Sequence, residues 1–158
     1  MMQIYNFYVI FLYTDMEIRL LKNEDYYLDY LHLLNQLSYI DKNTIMYDQF
    51  CDFVSKLNEK HVIYVIYDTS INKIIASGTL FIEQKLIHNC GFVGHIEDII
   101  VDTYFHGKSL GKLIVDKLVD YAKQMKCYKV ILDCSNNVEK FYEKCGFTKK
   151  NNQMALYF

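Results

Sequence analysis

Ile96-Glu97-Asp98-Ile99-Ile100-Val101 leads through Asp102-Thr103-Tyr104-Phe105-His106 into Gly107-Lys108-Ser109-Leu110-Gly111-Lys112. This stretch reads as a strand, a glycine-punctuated turn and the opening of a helix. The strand brings two carboxylates and an apolar run up to the turn. Gly107 and Gly111 let backbone N–H groups approach a ligand closely, and the helix points its positive end into the turn. A pyrophosphate is the natural occupant, and Lys108 and Lys112 add charge of the right sign. The spacing fits neither a P-loop, which needs four residues between its glycine and Gly-Lys-Ser/Thr, nor the Gly-x-Gly-x-x-Gly fingerprint. On spacing alone the glycines serve equally well as a structural cap.

The rest of the chain narrows the field. Its 158 residues suffice for one domain with a sizeable core, and no linker, repeat or low-complexity segment divides them. We divide the chain into an N-terminal extension, 1–15, and a single domain, 16–158. Within the extension, Ile4 to Tyr13 is almost wholly apolar but too short to span a bilayer, and no positive region precedes it as in a secretory signal. An extra edge strand or a dimer contact is the expected use. A net charge of -2 gives no basic footprint, which argues against nucleic acid, and nothing points to a membrane. Cys51, Cys90, Cys127, Cys134 and Cys145 form no Cys-x-x-Cys pair and leave an odd one over, so reduced thiols in the cytoplasm are expected. His88, His95 and Glu97 lack metal-site spacing, and no metal is expected.

Periodicity predicts a mixed α/β chain. Glu17 to Leu21 reads as a strand. Asn23 is expected to cap a helix with Tyr27, Leu31, Leu34 and Leu37 on one face, and a second helix follows from about Tyr47. Val62 to Tyr67 and Ile74 to Ile82 form a hairpin about the turn Asp68 to Lys73. After Ile96 to Val101 comes a long helix carrying Leu110, Leu113, Ile114, Leu118, Tyr121 and Met125. A buried strand at Val130-Ile131-Leu132, a short helix around Phe141 to Lys144 stopped by Gly146, and a last strand near Met154 to Phe158 complete the order. Hairpins first and crossovers later give a mixed, mostly antiparallel sheet flanked by helices.

The glycine turn and Phe141-Tyr142-Glu143-Lys144-Cys145-Gly146-Phe147 resemble the acetyl-CoA-dependent N-acetyltransferases of the GNAT superfamily. Five segments, the turn among them, are similar in order and spacing to its glucosamine 6-phosphate N-acetyltransferase branch. They are Lys85-Leu86-Ile87-His88, Gly94-His95-Ile96-Glu97-Asp98, the turn from Gly107 to Lys112, Cys127-Tyr128-Lys129 and Leu132-Asp133-Cys134. They cover the chain from about Ile74 to its end. The resemblance implies the GNAT fold, acetyl-CoA as cosubstrate and direct transfer to the 2-amino group of the sugar phosphate, a step toward UDP-N-acetylglucosamine. It implies an intertwined homodimer as well.

For site residues the resemblance implies Ile99, Ile100 and Val101 facing the thioester, and Gly107, Lys108, Ser109, Leu110, Gly111 and Lys112 around the pyrophosphate. It places the sugar against Ser38, Lys85, Leu86, Ile87, His88, Tyr128 and Lys129, together with Glu97, Asp98 and Asp133. The chemistry suits these residue types. Acetyl transfer needs a neutral amine, a stabilised oxyanion and a proton for the thiolate. Glu97, Asp98 and Asp133 are acids at strand ends, able to hold an ammonium and remove its proton, and Tyr142 can protonate the thiolate. Backbone N–H donors stabilise an oxyanion with little reorganisation. Three positions depart from the pattern. His106 stands for the turn's usual arginine or glutamine, Ser109 for a glycine, and Tyr157 for an arginine that meets the sugar phosphate.

Overall fold

A computed structural model describes residues 15–41 and 44–157. The expected N-terminal extension therefore lies outside the described residues, apart from Asp15. One five-stranded sheet runs in the order β1 (Met16–Leu20), β2 (His61–Asp68), β3 (Lys73–Gln84), β4 (Phe92–Val101) and β5 (Cys127–Ile131). β1 to β4 pair antiparallel and β5 lies parallel to β4, which gives the mixed, mostly antiparallel sheet that the sequence predicts. A parallel neighbour needs a long crossover, and the helix Leu110–Gln124 supplies it.

Both faces of the sheet are covered, and β2 shows why. Its apolar residues alternate, with Val62, Tyr64 and Ile66 packed in one buried cluster and Ile63 and Val65 in the other. Four helices, α1 (Tyr30–Leu34), α2 (Tyr47–Ser55), α3 (Leu110–Gln124) and α4 (Glu139–Lys144), flank it. α3 sets Leu110, Ile114, Val115, Leu118 and Ala122 against the first cluster. α1 and α2 bring Tyr30, Leu31, Leu33 and Phe50 to the second. Each such side chain removed from water contributes about 1.5–3 kcal/mol.

The hairpin turn follows its chemistry: Asp68 Oδ1 accepts from Ser70 N (3.0 Å) and Oγ (2.6 Å), and Asn72 takes a left-handed φ of 56°. The first helix differs from expectation. It divides into a 3₁₀ turn, Asn23–Tyr27, and α1, because Asp29 between them adopts φ 61°, where its carboxylate pairs with Lys73 Nζ at 2.5 Å. The break turns Tyr30 and Leu33 inward and leaves Tyr27 and Leu37 exposed. Asn23 is not the cap. Asp25, fully buried, accepts from Lys22 N (2.8 Å) and forms a two-pronged pair with Arg19 of β1 (2.6 and 2.8 Å).

β4 begins at Phe92 rather than Ile96, and β5 spans Cys127–Ile131 rather than residues 130–132. The predicted last strand, near Met154 to Phe158, is absent among the described residues: 147–157 carry no regular structure. Its alternating side chains suit a strand, but it does not pair with the outer edge of β5, which stays open among the described residues. Met154, Leu156 and Tyr157 are consequently 95%, 79% and 90% exposed.

Candidate active site

The site begins with a bulge. Ser77 pairs with Ile100 and Thr79 with Glu97, so Gly78 alone faces Asp98 and Ile99. Asp98 takes φ 53° to accommodate the extra residue. A Cβ on Gly78 would lie 2.5 Å from both Ile114 Cγ2 and Ile99 Cδ1, so glycine is required for the two strands and α3 to meet here. Beside it the Tyr30 and Ser77 hydroxyls meet at 3.3 Å, and burial pushes the Tyr30 phenol up to about 12.

Beyond the bulge the sheet opens. β5 accompanies β4 only from Phe92 to His95, and among the described residues the edge of β4 from Glu97 onward has no partner strand on that side. Asp102 N donates to Ile75 O of β3 (2.9 Å), so strand alternation turns the N–H and carbonyl of Val101, and those of Ile99, to the open edge. The Val101 carbonyl is satisfied there by His106, whose Nε2 donates at 2.9 Å. The N–H groups face a cleft of about 570 Å³.

That cleft unites most of the predicted cofactor residues: Ile99, Ile100, Val101, Gly107, Ser109, Leu110, Gly111 and Lys112 line it, and Tyr142 enters from α4. The two glycines act differently. Gly107 has φ 79° and open space at its Cβ position. Gly111 instead makes room for α4, since a Cβ there would be 3.2 Å from Phe141 Cζ. Ser109 also sits at a left-handed φ, 60°, and caps α3 without a side-chain hydrogen bond. Lys112 Nζ is bound to Asp116 at 2.6 and 2.8 Å. Lys108 is not among the lining residues; its Nζ lies 4.7 Å from the Phe105 ring centre.

Asp98 and Asp133 lie close enough to Glu97 to act on it electrostatically. Burial first, then the charges of Asp98 and Asp133, push the Glu97 carboxyl above its usual range, and His95 pulls it back. Half-buried Tyr142 is pushed above the ordinary phenol range by burial, with smaller contributions from Cys134, Cys145 and Glu97. A phenol so held stays protonated at neutral pH and can donate.

The other predicted acceptor residues form a second group. The single turn Ile87–Cys90 after β3 winds left-handed, with φ of 56° at His88 and Asn89 and 58° at Cys90. It lays the His88 ring on Tyr128 of β5 (centroids 4.4 Å apart), and Lys129 Nζ lies 5.7 Å from the same ring centre. Leu86 and Ile87 are exposed. Lys85 Nζ pairs with Glu83 Oε1 at 2.5 Å, and Glu83 Oε2 meets His95 Nε2 at 3.0 Å. Ser38 is exposed just after α1. Sequence reading missed the residue that ties this segment to the site: Gln36 donates to Asp102 Oδ2 (3.2 Å) and accepts from Thr103 N (3.1 Å). Gly78 was missed too, although a glycine inside a strand pattern is a known signal of a bulge. Phe141 and Cys145 complete the cleft wall.

Comparison with known proteins agrees with this geometry. The family model described as Acetyltransferase (GNAT) family matches residues 25–147. The glucosamine 6-phosphate N-acetyltransferase of Arabidopsis thaliana is 44% identical over 143 residues, covering 90% of this chain and 96% of that protein. The enzyme of the same name from Candida albicans is 40% identical over 148 residues, covering 92% and 96%. The crystal structure of the Arabidopsis thaliana protein superposes with a TM-score of 0.87 at 42% identity, over 90% of this chain and 98% of that one.

Proposed function

We propose, from the fact that this chain belongs to the acetyltransferase (GNAT) family, that it moves the acetyl group of acetyl-CoA directly to the 2-amino group of glucosamine 6-phosphate. The parting of β4 from β5 carries this reading. It exposes backbone N–H donors of Ile99 and Val101 between a glycine turn, a protonated Tyr142 and a cluster of carboxylates.

Each part has one task. The turn from Gly107 to Lys112 and the start of α3 receive the pyrophosphate of acetyl-CoA. Glu97, Asp98 and Asp133 hold the sugar ammonium and take its proton, directly or through water, so that the amine can attack the thioester carbon. A C–N bond forms, and the oxyanion that develops is met by the backbone donors of β4. Collapse breaks the C–S bond, and Tyr142 gives its proton to the departing thiolate. No side chain is acylated.

The sugar phosphate rests on Lys85 and Lys129, with Ser38, Leu86, Ile87, His88 and Tyr128 shaping the rest of the acceptor site. Lysine binds phosphate as a point charge. The exposed apolar residues 154, 156 and 157 support a homodimer built through the C-terminal segment. Reduced cysteines support a cytoplasmic place, where the product feeds UDP-N-acetylglucosamine synthesis. Release of free CoA thiol with a panel of amino sugars tests the reading. Glucosamine 6-phosphate is expected to support turnover, and binding of acetyl-CoA without turnover on any amine would overturn the assignment.

A further inference from the structure

His95 is a polar side chain beside the acceptor carboxylates that the proposed mechanism leaves unused. It pairs with Phe81 across the β3/β4 ladder, one pleat before the pairing of Glu97 with Thr79. Side chains two apart on a strand share a face, so His95 and Glu97 stand side by side. The other end of the imidazole is fixed. Glu83, diagonal to it on β3, accepts at 3.0 Å from His95 Nε2 and at 2.5 Å from Lys85 Nζ. A continuous line therefore runs from Lys85 through Glu83 and His95 to Glu97. Its charges alternate when the imidazole is protonated.

We propose that His95, anchored on Glu83, is a positioning residue that keeps the Glu97 carboxylate ionised for the acceptor amine. This rests on the function proposed above. A cation beside a carboxylate favours its charged form, and His95 acts on Glu97 in that direction. Opposing it are the other groups that face Glu97: Asp98 on its own strand and Asp133 after β5, both raising its proton affinity, with the Tyr142 phenol across from α4. Glu83 itself is held below the usual carboxylate range, first by Lys85 and then by His95. It is thus a fixed charge over the working range of the enzyme. His95 is also packed edge-on against Phe81, with centroids 6.4 Å apart, which restricts the ring to this orientation.

The test is a carbon-13 NMR titration of the Glu97 carboxyl in the whole protein, in wild type, His95→Gln and Glu83→Gln. It is read beside the pH profile of kcat/KM for glucosamine 6-phosphate. In His95→Gln the Glu97 midpoint should move up by about half a unit to one unit. The acid limb should follow, a loss of about 3- to 10-fold on that limb. Glu83→Gln, which acts from the neighbouring strand, should move both in the same direction. Coincident Glu97 titrations in the three folded proteins would overturn the proposal. Absence of turnover in the wild type would instead remove the assigned reaction, and the titration would still decide the role of His95.

Discussion

At the scale of the residue, the site depends on two protonation states held apart by their surroundings. Burial pushes both the Glu97 carboxyl and the Tyr142 phenol above their ordinary ranges, and the proposed chemistry uses the first ionised, as a base, and the second protonated, as an acid. Tyr142→Phe should lower kcat by about 10²-fold, the low end of what a lost general acid costs, because water can substitute in part. Wild-type turnover in the folded variant would make the phenol a packing group. The raised Glu97 value has a consequence for stability as well. The folded protein binds that proton more tightly than the unfolded chain, so its stability falls as pH rises from the unfolded value through the folded one. Glu97→Gln should therefore melt higher than wild type above this window and equally below it, in thermal scans at matched pH. Ser109 offers a simpler case. It occupies a left-handed position with no side-chain bond in return. That conformation costs a non-glycine residue about 1–2 kcal/mol, so Ser109→Gly should stabilise by roughly 0.5–1 kcal/mol after the entropy of glycine is counted. Denaturant melts will show whether the midpoint rises or falls.

At the scale of the element, the bulge in β4 is the decisive feature. Gly78→Ala would push a methyl into Ile114 and Ile99, an overpacking that costs about 1–3 kcal/mol. Because Ile99 lies on the bulge itself, kcat should fall further than the stability loss explains; a variant that loses stability alone would separate the bulge from catalysis. Much of this was legible beforehand. The run from Ile96 to Lys112 read as strand, turn and helix, and Val62 to Tyr67 with Ile74 to Ile82 read as the hairpin that β2 and β3 form. The first helix was misread, since a 3.6 period cannot foresee that Asp29 turns left-handed to meet Lys73 forty-four residues later. Glu83 and Gln36, and the pairing of His95 with Glu83, were invisible to motif reading for the same reason. Their partners are set by strand register and by a helix end, not by neighbours in sequence.

At the scale of the whole molecule, one chain leaves two things open at its surface: an unpaired edge on β5 and an apolar C-terminal segment. Each is a liability that a second copy removes. Light scattering should find the full chain dimeric and a chain ending at Lys150 monomeric, and a full chain that stays monomeric at high concentration would contradict this. The central claim, however, concerns the acceptor. Lys85 and Lys129 are proposed to meet a phosphate, and losing a charge-assisted contact costs roughly 1.5–3 kcal/mol, about a ten- to hundred-fold change. The most direct measurement is the rate of CoA thiol release with glucosamine 6-phosphate and with unphosphorylated glucosamine, side by side at neutral pH. A specificity constant at least about tenfold higher for the phosphorylated sugar is the predicted result. Equal constants for the two sugars would contradict it.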